Sequence, residues 1–149
     1  MSDGLDVIVL DDDPSVCEVI TEIVRRFYAW GDVFPFTDPA EALEHCRRRE
    51  AGVAVFILDV YIGDGTCFSF LDEIADRFPM ASEDAVIISG NASDDVVNMC
   101  VASDITHLLE KPVRAYALQL AVRSIVNKYL KFAKRLLDDP ALADSVARF

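Results

Sequence analysis

The chain has 149 residues, of which 14 are basic and 26 acidic, so its formal net charge is −12 at neutral pH. Apolar residues make up 52%, and glycine and proline number only six each, a composition that excludes disordered, collagen-like and low-complexity chains. An acidic chain is repelled by DNA phosphates and by anionic lipid surfaces, so neither nucleic acid nor a membrane is expected as a partner.

Length and cysteine usage predict one cytoplasmic domain. A chain of this size buries about 70% of its unfolded surface, which suits one core better than two. The four cysteines lie far apart in the sequence and form no CxxC pair, which predicts free thiols in a reducing compartment. The N-terminal segment lacks the basic region of a signal peptide, and no stretch approaches the roughly 18 apolar residues that a membrane span needs.

Apolar runs of strand length alternate with segments of helical period. The clearest strands are predicted at residues 6–10, 53–58, 85–88 and 106–109. Their unbroken apolar character indicates a parallel sheet covered on both faces. A further strand is predicted at residues 32–36, and because Pro35 removes a ladder donor, we expect that strand at an edge of the sheet.

Helix starts carry capping signals. Asp13 before Pro14 and Asp38 before Pro39 are typical N-cap and N1 pairs. Further helices are predicted at residues 67–78, 93–102 and 114–137, the last being the longest. This alternation predicts an α/β fold with a doubly wound five-stranded parallel sheet of order 2-1-3-4-5, a flavodoxin-like three-layer sandwich with an extended C-terminal helix.

Polar residues collect where the predicted strands end. These residues are Asp11, Asp12, Asp13, Asp59, Ser89 and Lys111. In the predicted order the first and third strands are neighbours, so the carboxylates of Asp12 and Asp59 are expected within a few ångströms of each other. Two carboxylates, a loop carbonyl and waters suit Mg²⁺, while a serine hydroxyl and a lysine ammonium suit phosphoryl oxygens. The predicted site indicates phosphoryl transfer to a carboxylate.

Each of these residues also has a purely structural explanation. Asp13 is expected to cap a helix, and Asp59 alone is as compatible with a cap as with a metal ligand. Ser89 alone would fit a turn beside Gly90, and Lys111 alone would fit an exposed surface. Only their joint placement indicates a function.

At these positions the sequence resembles the receiver domain of two-component response regulators, over about residues 5–128. The resemblance rests on the motifs VIVLDDDP, ILDV, IISG and LLEKP and on the spacing between them. It implies that Asp59 accepts a phosphoryl group from a phosphohistidine on a sensor histidine kinase or a phosphotransfer protein. It also implies a Mg²⁺ site formed by Asp12, Asp59 and the backbone carbonyl of Tyr61, with Asp11 acting mainly through metal-bound water.

The resemblance implies two further roles at the strand ends. Lys111 would pair first with the Asp59 carboxylate and then with the phosphoryl oxygens, and Ser89 would hydrogen-bond the modified group. The peptide bond between Lys111 and Pro112 would be cis. The protein would then be a signalling switch rather than an enzyme.

Four positions depart from the usual pattern of that family. Gly63 and Cys67 stand where the family usually has proline and glycine after the phosphoacceptor. Leu108 replaces the usual aromatic three residues before the lysine, and Asp104 replaces a common glycine.

The C-terminal part of the chain predicts more helix than a receiver needs. Apolar residues at 118, 122, 125, 129, 132 and 136 follow the spacing of a coiled-coil seam. We predict a receiver domain over residues 1–130 and a helical extension or linker over residues 131–149, which would support a homodimer or else fold back on the domain. The output partner is unknown, and the chain is either a stand-alone receiver or a fragment of a longer regulator.

Two other functional classes stay open. A haloacid-dehalogenase-like phosphatase also begins with an aspartate-rich strand end, but it needs a later acidic pair, for which Asp138 and Asp139 are the candidates. A pseudo-receiver would keep the fold as a binding module without phosphorylation. A flavodoxin is excluded because a flavin phosphate needs a hydroxyl- and glycine-rich first loop, where this chain has three aspartates.

Overall fold

The computed structural model describes residues 4–148, which alternate strands and helices. In chain order the elements are β1 (Val7–Leu10), α1 (Pro14–Phe27), β2 (Val33–Phe36), α2 (Pro39–Arg48), β3 (Val55–Asp59), β4 (Tyr61–Ile62), β5 (Gly65–Thr66), α3 (Cys67–Ile74), β6 (Ala85–Ser89), α4 (Asp94–Ala102), β7 (His107–Glu110), α5 (Ala115–Asp138) and α6 (Pro140–Ala147). Five strands pair in parallel in the order β2-β1-β3-β6-β7. Because β4 and β5 form a separate hairpin, β6 and β7 are the fourth and fifth strands of this sheet, and the predicted fold and strand order are confirmed. The hairpin of β4 and β5 was not predicted.

The sheet separates two apolar clusters. Side chains alternate along each strand, so Ile8 and Phe56 face the cluster that includes α2, α3 and α4, while Val7 and Val55 face the cluster that includes α1 and α5. All residues of β1 and β6 are buried. The unbroken apolar runs in the sequence therefore correctly indicated strands that are buried on both faces of the sheet.

The edge position predicted for the proline-containing strand is confirmed. β2 lies at one edge of the sheet and pairs with β1 alone, with Pro35 opposite Val9. The opposite edge is β7.

Helix starts follow the predicted caps. The Asp13 carboxylate accepts hydrogen bonds from the backbone N–H groups of Ser15 and Val16, and Asp38 accepts one from Ala40. The predicted end of α3 at Phe78 is wrong, since α3 ends at Ile74. The backbone N–H groups of Arg77 and Phe78 both donate to the Ile74 carbonyl, so α3 is followed by a single hydrogen-bonded turn that is not continued as a helix.

α5 has 24 residues and extends well beyond the sheet. Its first half is buried through Leu118, Val122 and Ile125, whereas Phe132 is 50% exposed and Leu137 is 84% exposed. α5 is followed by the eight-residue helix α6, which Asp139 caps through the N–H of Leu142. Among residues 4–148, no helix is long and apolar enough to span a membrane.

A buried carboxylate anchors the middle of α5. Asp84, which directly precedes β6 and is 1% exposed, accepts hydrogen bonds from the Tyr129 hydroxyl and from Lys128 Nζ, the latter at 2.6 Å. Burial and the contact with Asp84 hold the pKa of Tyr129 well above its usual range. Both α5 residues lie where the helix leaves the sheet, so Asp84 fixes the helix at that point.

We expect Tyr129→Phe to lower the free energy of unfolding by about 1–3 kcal/mol, because the buried Asp84 loses a hydrogen-bond donor. Urea denaturation followed by circular dichroism measures this change. Tyr116→Phe is the matched control, because Tyr116 lies on the same helix and is 70% exposed. Equal stability of the two variants would contradict the anchoring role of Asp84.

Candidate functional site

The polar strand ends meet at one edge of the sheet. Asp59 is the last residue of β3 and Ser89 is the last residue of β6, while Asp11 and Asp12 follow β1 directly and Lys111 follows β7. Because these strands are parallel, their carboxyl ends lie side by side. The sequence spreads these five residues over 101 positions, and the topology brings them to one place.

Three carboxylates form a cluster at this edge. Asp11, Asp12 and Asp59 each present one oxygen, and these oxygens all lie within 4.8 Å of one another. Asp11 is buried, Asp12 is exposed, and the Asp59 side chain is 14% exposed. Hard oxygen ligands at this separation suit a divalent cation such as Mg²⁺, which takes one or two carboxylates and completes its shell with other oxygens. The donor set therefore fits the expected metal.

Lys111 bridges two members of the cluster. Its Nζ lies 3.1 Å from Asp11 Oδ2 and 3.4 Å from Asp59 Oδ2. The expected contact with Asp59 is confirmed, whereas the shorter contact, with Asp11, was not predicted. Asp11, for which the family resemblance implies a role through metal-bound water, contacts the lysine directly in this structure.

The cluster changes the ionisation of its members. Burial and the neighbouring Asp11 charge raise the pKa of Asp59, and Lys111 only partly offsets them. For Lys111, burial works to lower the pKa, but the hydrogen bonds and charges of Asp11 and Asp59 outweigh it, so the pKa is raised. Lys111 therefore stays cationic, and Asp59 carries its charge at an energetic cost that a further cation would relieve.

The three consecutive aspartates have different partners. Asp11 Oδ1 accepts the backbone N–H of Asp13 at 2.9 Å, and Asp13 in turn caps α1. Asp12 Oδ2 lies 3.4 Å from the backbone N of Gly63, in the turn between β4 and β5. Asp12 is thus the aspartate of the three that lies exposed beside Asp59 without a capping role. Gly63 has a φ of +59°, in the left-handed region that glycine adopts without strain.

The segment after β3 is held by main-chain hydrogen bonds. The N–H of Val60 donates to the carbonyl of Ile88, and the N–H of Cys67 donates to the carbonyl of Val60. Tyr61 follows in β4, with its side chain 65% exposed, and pairs with Thr66 across the hairpin. Its backbone is thus fixed two residues after Asp59, at the predicted position of a carbonyl ligand.

Ser89 is buried, with an exposed fraction of 2%. Its Oγ accepts the backbone N–H of Asn91 at 3.2 Å, which leaves the hydroxyl proton free to be donated. On β7 the half-buried Leu108, at the position of the family's aromatic, packs against the core. Asp104, where a glycine is common, has a φ of +61°, a conformation that aspartate tolerates better than most residues.

Two contacts of the site escaped sequence reasoning. The ion pair of Asp11 and Lys111 joins residues 100 positions apart. The sequence feature that could have indicated this pair is the excess of acidic over basic residues at the strand ends. The approach of Gly63 to Asp12 depends on the hairpin, for which the signal was the sequence GDG at residues 63–65. The predicted cis peptide bond between Lys111 and Pro112 is present.

Comparison with known proteins identifies the family of this chain. The sequence matches the response regulator receiver domain over residues 7–123. The chain belongs to this family. Receiver domains are the signalling domains of two-component response regulators, and the acidic cluster described above lies at the end of the sheet that binds ligands in open α/β folds.

A curated relative has the same domain in a longer chain. The transcriptional regulatory protein CitT of Halalkalibacterium halodurans is 24% identical over 129 residues, which cover 87% of this receiver and 55% of that protein. The chain thus spans about half the length of the curated relative that it matches.

Solved structures share the receiver fold. A signal receiver domain from Vibrio parahaemolyticus has a TM-score of 0.73 at 20% identity, and the match covers 91% of this chain and 98% of that one. A receiver domain from Clostridium thermocellum also has a TM-score of 0.73 at 20% identity, covering 86% and 98%. The beryllofluoride-activated NtrC4 receiver has a TM-score of 0.69 at 23% identity, covering 83% and 98%. At these identities the likeness concerns the fold alone.

Proposed function

We propose that this receiver is a phosphorylation-dependent signalling switch in which Asp59 accepts a phosphoryl group from a phosphohistidine. The donor would be a sensor histidine kinase or a phosphotransfer protein. The observation that carries the proposal is the convergence of three carboxylates and one lysine around the end of β3. Burial, and then the neighbouring Asp11, raise the pKa of Asp59, and perturbed carboxylates of this kind cluster at functional sites.

The acidic cluster would hold Mg²⁺ through Asp12, Asp59 and the backbone carbonyl of Tyr61, with Asp11 beside them. When bound, the cation offsets the negative charge of the carboxylates and of the incoming phosphoryl oxygens. The raised pKa of Asp59 supports this assignment, since a cation at that point would favour the charged carboxylate that must act as the nucleophile.

In the transfer, an Asp59 carboxylate oxygen attacks phosphorus in line with the departing imidazole nitrogen. The P–N bond to the donor histidine breaks as the P–O bond to Asp59 forms, which gives an aspartyl phosphate and a free histidine. Lys111 Nζ, 3.4 Å from Asp59, is placed to contact the phosphoryl oxygens. The Ser89 hydroxyl can donate its free proton to another of those oxygens.

The new phosphoryl charge gives the switch its signal. It attracts Lys111, which at present pairs with Asp11 as well, and Ser89, which sits on β6 directly before the loop to α4. Changes in these contacts would move that loop and alter the surface offered to other proteins. We further propose that the receiver spans residues 1–130 and that residues 131–149 form a helical extension or linker.

The phosphatase alternative finds no support at the site. Its acidic pair would be Asp138 and Asp139, at the junction of α5 and α6, where Asp139 caps α6. α5 begins four residues after Lys111 and is 24 residues long, so this junction lies roughly 36 Å along the helix from its start. No observation favours it as a second candidate.

Incubation with radiolabelled acetyl phosphate and Mg²⁺ tests the proposal. We expect label on the wild type and on Asp64→Asn, because Asp64 is an exposed aspartate of the nearby hairpin. We expect at least a hundredfold less label on Asp59→Asn, and none on the wild type when Mg²⁺ is chelated. A wild type that takes up no label, and shows no Mg²⁺-dependent beryllofluoride binding, would leave a pseudo-receiver binding module. Label that persists on Asp59→Asn would show that Asp59 is not the acceptor.

A further inference from the structure

α5 presents a row of exposed side chains on the side that faces away from the sheet. Its seven members recur at alternating intervals of four and three residues: Tyr116, Leu120, Arg123, Asn127, Leu130, Lys134 and Leu137. The four apolar members range in exposure from 47% for Leu130 to 84% for Leu137. This is the heptad spacing of a coiled-coil seam, and we call the row the outer seam.

The outer seam differs from the apolar row on α5 that the sequence analysis predicted. That inner row begins with Leu118, Val122 and Ile125, which are buried in the core. Leu120 of the outer seam follows Leu118 by two residues, which is slightly more than half a helical turn, so the two rows lie on opposite sides of α5. The helix therefore uses one face for its own domain and leaves a second face, about 33 Å long, open.

A groove of about 760 Å³ lies beside the middle of the outer seam. One wall is formed by the end of α1 and the loop after it, through Phe27 and Trp30, and the other wall is α5, through Arg123, Asn127 and Leu130. Trp30 is 38% exposed. A helix that lay along the outer seam would therefore contact Trp30 as well as α5.

Two cations in the outer seam restrict which helix fits. Arg123 and Lys134 are exposed, and neither forms an ion pair within residues 4–148. In a coiled coil the seam side chains of one helix insert between those of the other, so a carboxylate in the facing layer would pair with each cation. A helix with cations in those layers would be repelled, and a purely apolar one would bury both charges unpaired.

Other occupants fit this surface less well. In a parallel pair of outer seams each cation would face its own copy, and in an antiparallel pair Arg123 would face Leu130 and Lys134 would face Leu120. An anionic membrane or a nucleic acid would be attracted by the net charge of +4 on α5, but the remainder of the chain carries −16 and would be repelled. Heptad spacing and cations within the seam together favour an acidic helix.

We propose that the outer seam and the adjacent groove bind an amphipathic α-helix of another protein, in a parallel two-stranded coiled coil with carboxylates opposite Arg123 and Lys134. Asn127 supports the parallel arrangement, because a single asparagine at this kind of seam position fixes the register of parallel two-stranded coiled coils. This binding goes beyond phosphoryl transfer at Asp59 and does not require it.

A synthetic helix of three heptads serves as the probe. It carries leucine in the seam layers, asparagine opposite Asn127, glutamate opposite Arg123 and Lys134, and no tryptophan, while a second peptide has lysine in place of the two glutamates. Trp30 is the only tryptophan of the chain, so its fluorescence reports occupation of the groove. We expect the glutamate peptide to shift this emission saturably to the blue with a Kd that rises with salt, and the lysine peptide to bind at least tenfold more weakly.

Charge reversal in the seam provides the matched comparison. Lys134→Glu should weaken binding of the glutamate peptide about tenfold and strengthen binding of the lysine peptide by a similar factor. Arg77→Glu reverses an exposed charge outside α5 and should leave both Kd values unchanged. Circular dichroism verifies that both variants are folded, which is expected because both residues are exposed.

Each contrary outcome overturns the proposal. Trp30 fluorescence that does not respond to the glutamate peptide excludes this binding mode, as does equal binding of the two peptides. Equal weakening by Lys134→Glu and Arg77→Glu would mean that binding follows net charge rather than the seam. A wild-type dimer in sedimentation equilibrium that Leu137→Asp dissociates would assign the outer seam to a second copy. Phosphatidylserine vesicles that bind the wild type but not Lys134→Glu would assign it to a lipid surface.

Discussion

Lys111→Met should lower the free energy of unfolding by about 3 kcal/mol at pH 7, the largest stability change expected from a substitution at the site. Removing one partner of a buried ion pair leaves an uncompensated charge, which typically costs about 3–5 kcal/mol, and we take the lower value because Lys111 is 24% exposed. Asp11, at 1% exposed, loses its ammonium neighbour, and Asp59 loses the charge that partly offsets its own burial.

The pH dependence of this loss follows from the direction of the shifts. The pKa of Lys111 in the folded protein lies above its ordinary 10.5, so its stabilising effect is fully present below pH 10.5 and is lost as the pH rises through the raised pKa. On the acid side, protonation of Asp59, whose pKa is raised by burial and by Asp11, removes one of the two charges that the lysine offsets. The difference between wild type and variant should therefore be greatest near neutral pH and shrink towards both extremes.

Urea denaturation at several pH values measures the effect of Lys111→Met. Lys131→Met, at an exposed position of α5, is the control and should stay within about 0.5 kcal/mol of the wild type. If Lys111→Met were as stable as this control, the acidic cluster would not depend on the lysine for its stability.

Asp59→Asn is expected to behave in the opposite way, being more stable than the wild type at neutral pH without Mg²⁺. The pKa of Asp59 in the folded protein is raised above 3.8, mainly by burial and then by Asp11, so the folded state favours the protonated form. The stability contributed by this group is present below pH 3.8 and is lost as the pH rises through the raised pKa. The amide does not titrate and avoids that loss, which should raise Tm by a few degrees, because about 1 kcal/mol shifts Tm by roughly 2–4 °C in a chain of this size.

Mg²⁺ should reverse the order of the two proteins. At a hundredfold excess over its Kd, a ligand that binds only the folded state adds about 2.7 kcal/mol, and Asp59→Asn should lose most of that gain. Thermal melts at pH 7 and pH 4, with and without Mg²⁺, measure both effects, and Asp64→Asn should follow the wild type throughout. An Asp59→Asn protein that is less stable than the wild type without Mg²⁺, or that gains equally from it, would contradict this account.

Sequence patterns predicted the site's location well because it depends on strand order. The apolar run before Asp11 and the run before Asp59 identify two central strands, and parallel pairing then places their ends together. The exact bounds of the predicted strands do not matter here, because a shift of one residue leaves each aspartate at the same edge of the sheet. The caps at Asp13 and Asp38 were equally predictable because the carboxylate acts on its own following turn.

Long-range side-chain pairs were not predictable in this way. Asp84 contacts Tyr129, which lies 45 positions further along the chain, and nothing in the local sequence distinguishes Asp84 from the neighbouring exposed acid Glu83. Lys111 forms ion pairs with both Asp11 and Asp59, and which of them it approaches more closely depends on side-chain directions that the sequence does not reveal. The short hairpin after β3 was missed because two-residue strands carry too few residues for a periodic signal.

Pro35 has a consequence for the outer rim of the sheet. The carbonyls of Asp32 and Phe36 accept hydrogen bonds from the N–H groups of Val7 and Asp11, so Pro35, which alternates with them, directs its backbone away from β1. A foreign strand that tried to lengthen the sheet there would find a ring carbon in place of an amide hydrogen. Pro35 therefore disfavours the edge-to-edge addition of strands to β2 that leads to fibrils.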